Sequence, residues 1–212
     1  MALKYQINPV TPFQQNSTLL WCDVTKEAVV TDPGGDIELI QAAVAAQGLT
    51  LKAIWLTHGH IDHVGGVTRL VAQQPVPVIG PEQEDDFWIA QLPMQSQRFG
   101  FAPSETFIPD QWLHEGDEVS VGQETFKVFH IPGHTPGHVV FYHAAQGLLI
   151  AGDVLFRESI GRTDFPRGDH AALLHHIRTK LWLLPDETEV IPGHGPMTTI
   201  GHEKRYNPFL NA

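Results

Sequence analysis

The chain has 212 residues, of which 42% are hydrophobic, and a formal net charge of −11. This length predicts one domain over residues 1–212. The negative charge argues against nucleic acid as a partner. The sequence has no apolar run long enough to span a membrane. The single cysteine excludes an internal disulfide and the N-terminus lacks the features of a signal peptide, which together predict a cytoplasmic protein.

The first half of the chain alternates predicted strands with predicted helices. Short apolar runs predict strands over 4–8, 17–22, 28–32, 52–57 and 76–79. Helical periodicity and capping residues predict helices over 36–47, 64–74 and 82–94, the last ended by Pro93. The stretch 95–115 has no clean period, and we expect a loop that flanks a functional site or folds onto the core through its aromatic residues.

The second half of the chain places several strands in succession before its own helix. The strands are predicted over 118–121, 125–131, 138–143, 148–151 and 189–191, and the helix over 169–183. A polar tail follows the last strand. This order favours an α+β fold of two sheets packed face to face with helices outside, and it disfavours a doubly wound sheet.

Four side chains of types that can bind metals lie within six residues in His58-Gly-His60-Ile-Asp62-His63, directly after the apolar run 53–56. Imidazole and carboxylate groups suit zinc and the harder first-row metals. In an extended segment, positions 58, 60 and 62 project to the same side. We therefore expect this loop to supply ligands to two neighbouring metal ions.

Three later loops repeat one pattern, in which an apolar strand is followed by glycine or Pro-Gly and then by a ligand type. They carry His134, Asp153 and His194. Loops at the carboxyl ends of strands collect functional groups in one cleft. We expect these three residues to join the cluster at 58–63.

The series His58-x-His60-x-Asp62-His63, His134, Asp153 and His194 resembles the signature of the metallo-β-lactamase superfamily, and the resemblance extends from Asp32 to His194. It implies an αββα four-layer sandwich of two mixed sheets with outer helices, and a site for two divalent metal ions. The first metal would be held by His58, His60 and His134. The second would be held by Asp62, His63 and His194, with Asp153 as the bridge. Zn²⁺ is the expected metal, and Fe and Mn are alternatives.

Within the superfamily, the chain resembles the glyoxalase II group. The resemblance rests on the segments 134–138, 161–165 and 207–209 and on the carboxylate of Asp153, where typical zinc β-lactamases place a cysteine. The sequence ends at Ala212, without the helical C-terminal domain of typical glyoxalase II enzymes. It therefore resembles the shorter, single-domain bacterial form.

This resemblance implies hydrolysis of an S-(2-hydroxyacyl)glutathione, such as S-D-lactoylglutathione, to a hydroxy acid and glutathione. A metal-bound hydroxide would attack the thioester carbonyl, with Asp62 and Asp153 as the catalytic carboxylates. The expected partner is thus a small-molecule glutathione thioester, and the sequence leaves the oligomeric state open. Arg162 is the preferred contact for a glutathione carboxylate. Further basic candidates are Arg157, Arg167, Lys204 and Arg205.

The same residues are compatible with three other functions. An iron-dependent glutathione persulfide dioxygenase would use His58, His134 and Asp153 as a facial triad. A lactonase or another thioesterase would use the full ligand set. A non-catalytic metal-binding module is disfavoured, because a structural site is normally closed by four ligands and this sequence offers seven. We expect Thr57 and His138 to support the ligand loops. Asp32 is expected either to support them as well or to form the turn before Pro33-Gly34.

Overall fold

Two mixed β-sheets form the centre of the computed structural model, which describes residues 2–211. The two ends of the predicted domain, Met1 and Ala212, lie outside the described residues. The strands are β1 (Leu3–Val10), β2 (Gln15–Cys22), β3 (Glu27–Thr31), β4 (Thr50–Trp55), β5 (Val78–Ile79), β6 (Glu118–Val121), β7 (Glu124–His130), β8 (Val139–His143), β9 (Leu148–Gly152), β10 (Leu155–Phe156), β11 (Ser159–Ile160), β12 (Glu189–Pro192) and β13 (Thr198–Thr199).

The first sheet has the order β1-β2-β3-β4-β5, antiparallel over its first three strands and parallel from β3 to β5. The second sheet has the order β13-β12-β9-β8-β7-β6, in which the pair of β12 and β9 is parallel and the others are antiparallel. A separate two-stranded hairpin is formed by β10 and β11. The prediction of two mixed sheets is confirmed.

Helices cover the outer face of each sheet. They are α1 (Ile37–Ala46), α2 (Ile61–Val64), α3 (Val67–Gln73), α4 (Asp86–Ile89), α5 (Leu92–Phe99), α6 (His170–Lys180) and α7 (Ile200–Tyr206). Single turns of 3₁₀ helix lie at Gln83–Asp85 and Leu181–Leu183. No helix among residues 2–211 combines the length and the apolar character needed to cross a lipid bilayer.

The alternation of side chains along the central strands divides the apolar residues between three layers of core. Val29 belongs to the cluster between the sheets, whereas its neighbour Val30 packs in the cluster beneath the helices of the first sheet. Ile150 and Leu149 divide in the same way on the second sheet. Consecutive strand residues point to opposite faces, so strands buried on both sides read as continuous apolar runs. This packing gives the predicted four-layer αββα arrangement.

Two predicted helices are interrupted in the structure. The helix predicted over 64–74 is divided at Gly65 and Gly66 into α2 and α3. A Cβ at Gly66 would lie 2.5 Å from the carbonyl oxygen of Pro33, and one at Gly65 would lie 2.8 Å from that of Gly34. The break therefore allows close backbone packing against the loop after β3.

The helix predicted over 82–94 is divided into a 3₁₀ turn, α4 and α5, and the prediction that Pro93 ends it was wrong. Pro93 lies in the first turn of α5, where proline costs no hydrogen bond because the first amides of a helix have no acceptor within it. Residues 95–99, predicted as loop, are therefore helical. Beyond them, Phe101, Phe107 and Trp112 pack against the core of the first sheet.

The predicted polar tail also contains a helix, α7, whose first turn is capped by the Thr199 hydroxyl accepting from the His202 amide. Strands β10, β11 and β13 were not predicted, because strands of two residues leave no periodic pattern.

Candidate metal centre

Four strands end near one edge of the sandwich, and each is followed by a loop that carries a predicted ligand. β4 leads to His58 and His60, β7 to His134, β9 to Asp153 and β12 to His194. β12 and β9 are parallel, and β7 runs the same way because β8 is antiparallel to both β7 and β9. The topology thus brings together side chains that are far apart in the sequence.

Three histidines form what we call the first cluster. His60 Nδ1 lies 3.1 Å from His58 Nε2 and 3.0 Å from His134 Nε2. Nitrogens that bind one zinc ion tetrahedrally at about 2.0–2.1 Å are separated by about 3.3 Å. The three side chains are buried. Their spacing fits three imidazoles around one cation.

Asp62, His63 and His194 form the second cluster, in which one ligand-type atom of each lies within 4.8 Å of the others. Asp62 Oδ2 lies 3.1 Å from His194 Nε2 and 3.7 Å from His63 Nε2. Two nitrogens and one carboxylate oxygen make a donor set that suits zinc, iron or manganese.

The carboxylate of Asp153 lies between the two clusters. Its Oδ1 is 3.4 Å from His63 Nε2, and its Oδ2 is 3.5 Å from His134 Nε2 and 3.7 Å from His194 Nε2. It thus faces both clusters, as a bridging ligand requires. The seven predicted ligand residues are brought together, and their binding of metal stays a prediction.

The local geometry of the motif 58–63 differs from the extended segment predicted from its spacing. Helix α2 begins at Ile61 with His60 at its N-cap, so Asp62 projects from a helical turn. His58 and His60 face the first cluster from the loop, whereas Asp62 and His63 face the second cluster from α2. The motif serves two clusters because its backbone changes from extended to helical at His60.

Four of the histidines direct their second ring nitrogen to an oxygen outside the clusters. These contacts are His58 Nδ1 to Thr57 Oγ1 at 3.0 Å, His63 Nδ1 to Asp32 Oδ2 at 2.9 Å, His134 Nδ1 to the Arg162 carbonyl at 2.7 Å and His194 Nδ1 to the Phe13 carbonyl at 3.1 Å. When Nδ1–H donates to such an oxygen, the lone pair of Nε2 points into the cluster, which is the arrangement usual for histidines that bind metals.

Asp32 supports both clusters, because it contacts His63 directly and His58 through Thr57. Its Oδ1 accepts the amide of Thr57 at 2.8 Å, and its Oδ2 accepts the Thr57 hydroxyl at 2.6 Å as well as His63 Nδ1. Although Asp32 lies within ligand distance of His58 and His63, both of its oxygens are already used. Its side chain orients the ligand loop, which was one of its two expected roles.

His138 also has the supporting position expected from the sequence. Its Nε2 accepts the amide of Asp153 at 3.0 Å, and its ring stacks on His58 with the centroids 4.6 Å apart. Asp153 is therefore held through its backbone as well as through its place at the end of β9.

Four buried side-chain atoms of the centre have no hydrogen-bond partner among residues 2–211, namely His60 Nε2, His63 Nε2, His138 Nδ1 and Asp153 Oδ1. A buried polar atom without a partner is costly unless another group compensates it. His63 Nε2 and Asp153 Oδ1 lie 3.4 Å apart at the second cluster, where a cation would satisfy both of them. The His and Asp groups of the centre thus fit two divalent cations.

The electrostatics of the two clusters differ. Burial lowers the pKa values of His58 and His60 well below the ordinary value, and mutual repulsion with the neighbouring histidines adds to the effect. Burial also lowers the pKa of His134. For His63, burial acts in the same direction, but Asp153 and Asp62 outweigh it and raise the pKa well above its usual range. The first cluster therefore offers neutral imidazoles, and the second attracts positive charge.

A cleft of about 790 Å³ opens over both clusters. Asp62, His134 and Asp153 lie among its walls, and Trp88 and Phe165 pack their rings 4.6 Å and 4.9 Å from that of His60. Beside it lies a second groove of about 420 Å³, lined by Arg157, Ser159 and His194 among others. Such volumes suit a small molecule.

The predicted substrate contact, Arg162, lies in the wall of the cleft but is already paired. Its guanidinium donates to both carboxylate oxygens of Asp164, at 3.0 Å and 2.8 Å, and lies over the Phe165 ring. By contrast, Arg98 of α5 lies in the same cleft and forms no ion pair within residues 2–211. Arg98 was not predicted, because nothing in the sequence of this segment indicates that helix α5 carries Arg98 to the cleft.

The other predicted basic contacts lie in different places. Arg167 pairs with Glu84, and Lys204 and Arg205 both pair with Asp186. None of these three lines the cleft. Arg157 lies in the neighbouring groove.

Two residues that position ligand loops were not found from the sequence. Asn16 donates its amide hydrogens to the carbonyls of Pro192 and Gly195, and thereby holds the His194 loop. Asp85 is fully buried and accepts three hydrogen bonds from the loops of the first cluster. Burial raises the pKa of Asp85 to about 7 against the opposing effect of these bonds.

Comparisons with family models, curated proteins and solved structures all identify the same family. The model of the metallo-β-lactamase superfamily matches residues 10–194 of this chain. The chain is similar to hydroxyacylglutathione hydrolase GloC of Haemophilus influenzae, with 46% identity over 211 residues and 99% of each chain covered.

Solved structures show the same fold. The crystal structure of the BLEG-1 B3 metallo-β-lactamase is similar with a TM-score of 0.90 and 42% identity, covering 99% of this chain and all of that one. TTHA1623 in a di-iron-bound form has a TM-score of 0.87 and 38% identity, covering 97% of this chain and 100% of that one. The resemblance inferred from the ligand motif is thereby confirmed.

Proposed function

Because the chain belongs to the metallo-β-lactamase superfamily, we propose that it is a thioester hydrolase that converts S-(2-hydroxyacyl)glutathione to a hydroxy acid and glutathione. The observation that carries this proposal is the 46% identity to a hydroxyacylglutathione hydrolase over 99% of both chains. The intact set of seven His and Asp groups at one cleft supports it.

The first cluster and the second cluster would each hold one divalent cation, with Asp153 between them, and Zn²⁺ is the metal we propose. When bound, the cations would supply hydroxide at neutral pH and stabilise the charge that develops on the thioester oxygen. The neutral imidazoles of the first cluster need lose no proton to bind a cation.

The chemistry of the leaving group also supports a thioester. Apart from the predicted ligands, the titratable side chains in the described walls of the cleft are Arg98, Arg162 and Asp164. The bond from Arg162 lowers the pKa of Asp164, which makes Asp164 a weak proton donor. A thiolate, with a conjugate acid of pKa about 8.5, leaves without a strong general acid, whereas an amine does not.

Arg98 is the residue we propose to bind a carboxylate of glutathione. It lines the cleft on α5, near the exposed rings of Phe13 and Phe99. A guanidinium without a carboxylate partner is suited to bind one from a ligand. We retain Arg162 as a weaker candidate, because a substrate would have to displace Asp164 from it.

We also place the protein in the cytoplasm. The thiol of Cys22 is free and buried, which is compatible with a reducing compartment that supplies glutathione.

An iron-dependent glutathione persulfide dioxygenase is the second candidate, because His58, His134 and Asp153 offer the two histidines and one carboxylate of a facial triad. The di-iron-bound form of a protein with 38% identity supports iron as a metal for such a centre. A β-lactamase is the third, because of the 42% identity to BLEG-1. One comparison of substrates separates these functions. Protein loaded with Zn²⁺ or with Fe²⁺ is assayed for thiol release from S-D-lactoylglutathione, oxygen uptake with glutathione persulfide and opening of a β-lactam. We expect thiol release to be the fastest reaction, and oxygen uptake that requires only one iron would replace our proposal with the second candidate.

A further inference from the structure

One buried carboxylate joins the two loops that carry the first cluster. Asp85 is 0% exposed and ends the 3₁₀ turn Gln83–Asp85. Its Oδ2 accepts the amide of Gly59 and the hydroxyl of Thr135, both at 2.8 Å, and its Oδ1 accepts the amide of Gly137 at 2.6 Å. Gly59 lies between His58 and His60, whereas Thr135 and Gly137 follow His134.

The packing around Asp85 leaves these loops little freedom. A Cβ at Gly137 would lie 2.5 Å from the carbonyl oxygen of Glu82 and 2.6 Å from the amide nitrogen of Asp85. A Cβ at Gly59 would lie 2.9 Å from Cβ of Trp88. The amide of Glu82 also donates to the carbonyl of Gly137 at 3.0 Å. The segment 82–88 is thus a template against which both loops are packed.

Asp85 itself is not placed to bind a cation. Its two oxygens are occupied by three donors, and it has no ion-pair partner among residues 2–211. The hydrogen bonds run to backbone and hydroxyl groups adjacent to the ligands, so any effect of Asp85 must pass through the positions of the two loops.

We propose that Asp85 is a positioning residue that fixes the separation of His60 and His134, and thereby the metal affinity of the first cluster. His60 Nδ1 and His134 Nε2 are 3.0 Å apart, although the two residues lie in separate loops. One carboxylate that binds both loops keeps this distance short before any metal is bound. The inference rests on the proposed metal centre and is independent of the thioester substrate, because its test measures metal binding.

The test compares Asp85→Asn with the wild type by calorimetric titration of the metal-free proteins with Zn²⁺. Asparagine keeps the shape but offers one acceptor oxygen, so an NH₂ group must face one of the loop donors. We expect one of the two binding steps to weaken by at least about tenfold, as is typical when a residue that orients metal ligands is changed. The other step should remain within error of the wild type.

Glu203→Gln is the matched control. Glu203 is also 0% exposed and accepts three bonds, from the Thr198 hydroxyl, the Asn207 amide group and the Glu158 amide, but none of these residues is a predicted ligand. This variant should lower the midpoint of thermal unfolding and leave both Zn²⁺ affinities unchanged. If Glu203→Gln lost as much Zn²⁺ affinity as Asp85→Asn, the loss would be a result of general destabilisation of the protein, and the proposal would be overturned.

If Asp85→Asn does not fold, the proposed role of Asp85 is tested with the variants Thr135→Val and Thr135→Ser. Valine removes one donor to Asp85, whereas serine keeps it. We expect weaker Zn²⁺ binding with valine and recovery with serine. Wild-type affinity for both ions in Asp85→Asn, or in Thr135→Val when the first variant is unfolded, would overturn the proposal.

Discussion

The Nε2 atom of His63 lies 3.4 Å from Oδ1 of Asp153, and neither atom has a hydrogen-bond partner among residues 2–211. Nδ1 of the same His63 ring is directed to Asp32, so Nε2 is the nitrogen that faces Asp153. A buried carboxylate needs positive charge beside it. In the metal-free chain the effect of burial is outweighed by Asp153 and Asp62, which raise the pKa of His63 well above its usual range, so that a proton on His63 supplies this charge. A bound cation would take the place of that proton.

Asp153→Asn should bind fewer metal ions and lose catalytic activity. The amide carries no charge and offers one oxygen, so it cannot face both clusters as the carboxylate does. We expect the metal content to fall from two ions towards one and kcat to fall by at least about 100-fold. Elemental analysis and thiol release measure these changes.

The control for this variant is Asp164→Asn, which changes an exposed carboxylate in the same cleft that contacts Arg162. It should retain both ions. Asp153→Asn with two ions and full activity would show that Asp153 is not the bridging group.

Gly193→Ala should disturb the metal centre without unfolding the protein. A Cβ at this position would lie 2.0 Å from Asp153 Oδ1 and 2.8 Å from His63 Cε1. Both side chains would have to move, and a displacement of about 1 Å can cost about 100-fold in rate. We expect such a loss in kcat/KM, together with a lower metal content.

Gly195→Ala lies two residues away and tests whether any side chain added to this loop disturbs the metal centre. A Cβ there has no atom within 4 Å, although the φ of +75° makes alanine unfavourable by about 1–2 kcal/mol. It should lower thermal stability and keep the metals. The interpretation of Gly193 fails if the two variants lose metal equally.

Arg98→Ala should raise KM for the glutathione thioester and leave kcat nearly unchanged. Arg98 lines the cleft and is not among the predicted ligands, so it contributes to binding and not to the reaction. A rise of roughly tenfold in KM would correspond to about 1.4 kcal/mol of lost binding. Steady-state kinetics measure both constants.

Arg162→Ala provides the comparison, because its guanidinium is paired with Asp164. We expect a smaller rise in KM than for Arg98→Ala. The reverse order would restore Arg162 as the main contact for the substrate. An exposed arginine outside the cleft, Arg69, should show no effect when changed to alanine.

The convergence of the predicted ligands could be predicted from sequence, because these residues follow strands in a recognisable spacing. His58, His60 and His63 lie in one motif, and His134 and His194 each follow a strand and a Pro-Gly pair. The sheets were predictable for a related reason, since strands that are buried on both faces appear as apolar runs.

Asp85 could not be predicted because nothing local marks it. It lies in the acidic run 82–86, which reads as a solvated surface, yet its partners are 26, 50 and 52 residues away. The break of the helix at Gly65 has the same cause, because the packing that requires it involves the loop after β3. Such contacts appear only once the chain is folded.

The buried position of Asp85 also predicts a specific pH dependence of stability. Its pKa rises from 3.8 to about 7 on folding, so the folded chain binds this proton more tightly. The resulting stabilisation is complete below pH 3.8 and is lost as the pH rises through about 7. Between pH 5 and pH 8 the loss would be on the order of 2–3 kcal/mol.

Asp85→Asn should lack this contribution. In urea denaturation of the metal-free proteins, the stability of the wild type relative to the variant should therefore decrease from pH 5 to pH 8. All other titrating groups are common to both proteins and cancel in the difference. An unchanged difference would mean that Asp85 keeps one charge state throughout this range.

The most direct test of the proposed function is a titration of activity with metal. Metal-free protein receives increasing Zn²⁺, and kcat/KM for S-D-lactoylglutathione is measured by thiol release at each step. We predict negligible activity without metal and a maximum at two ions per chain, because six predicted ligands form two clusters and the carboxylate of Asp153 lies between them. Negligible thiol release from protein that contains two ions per chain would contradict the proposed function.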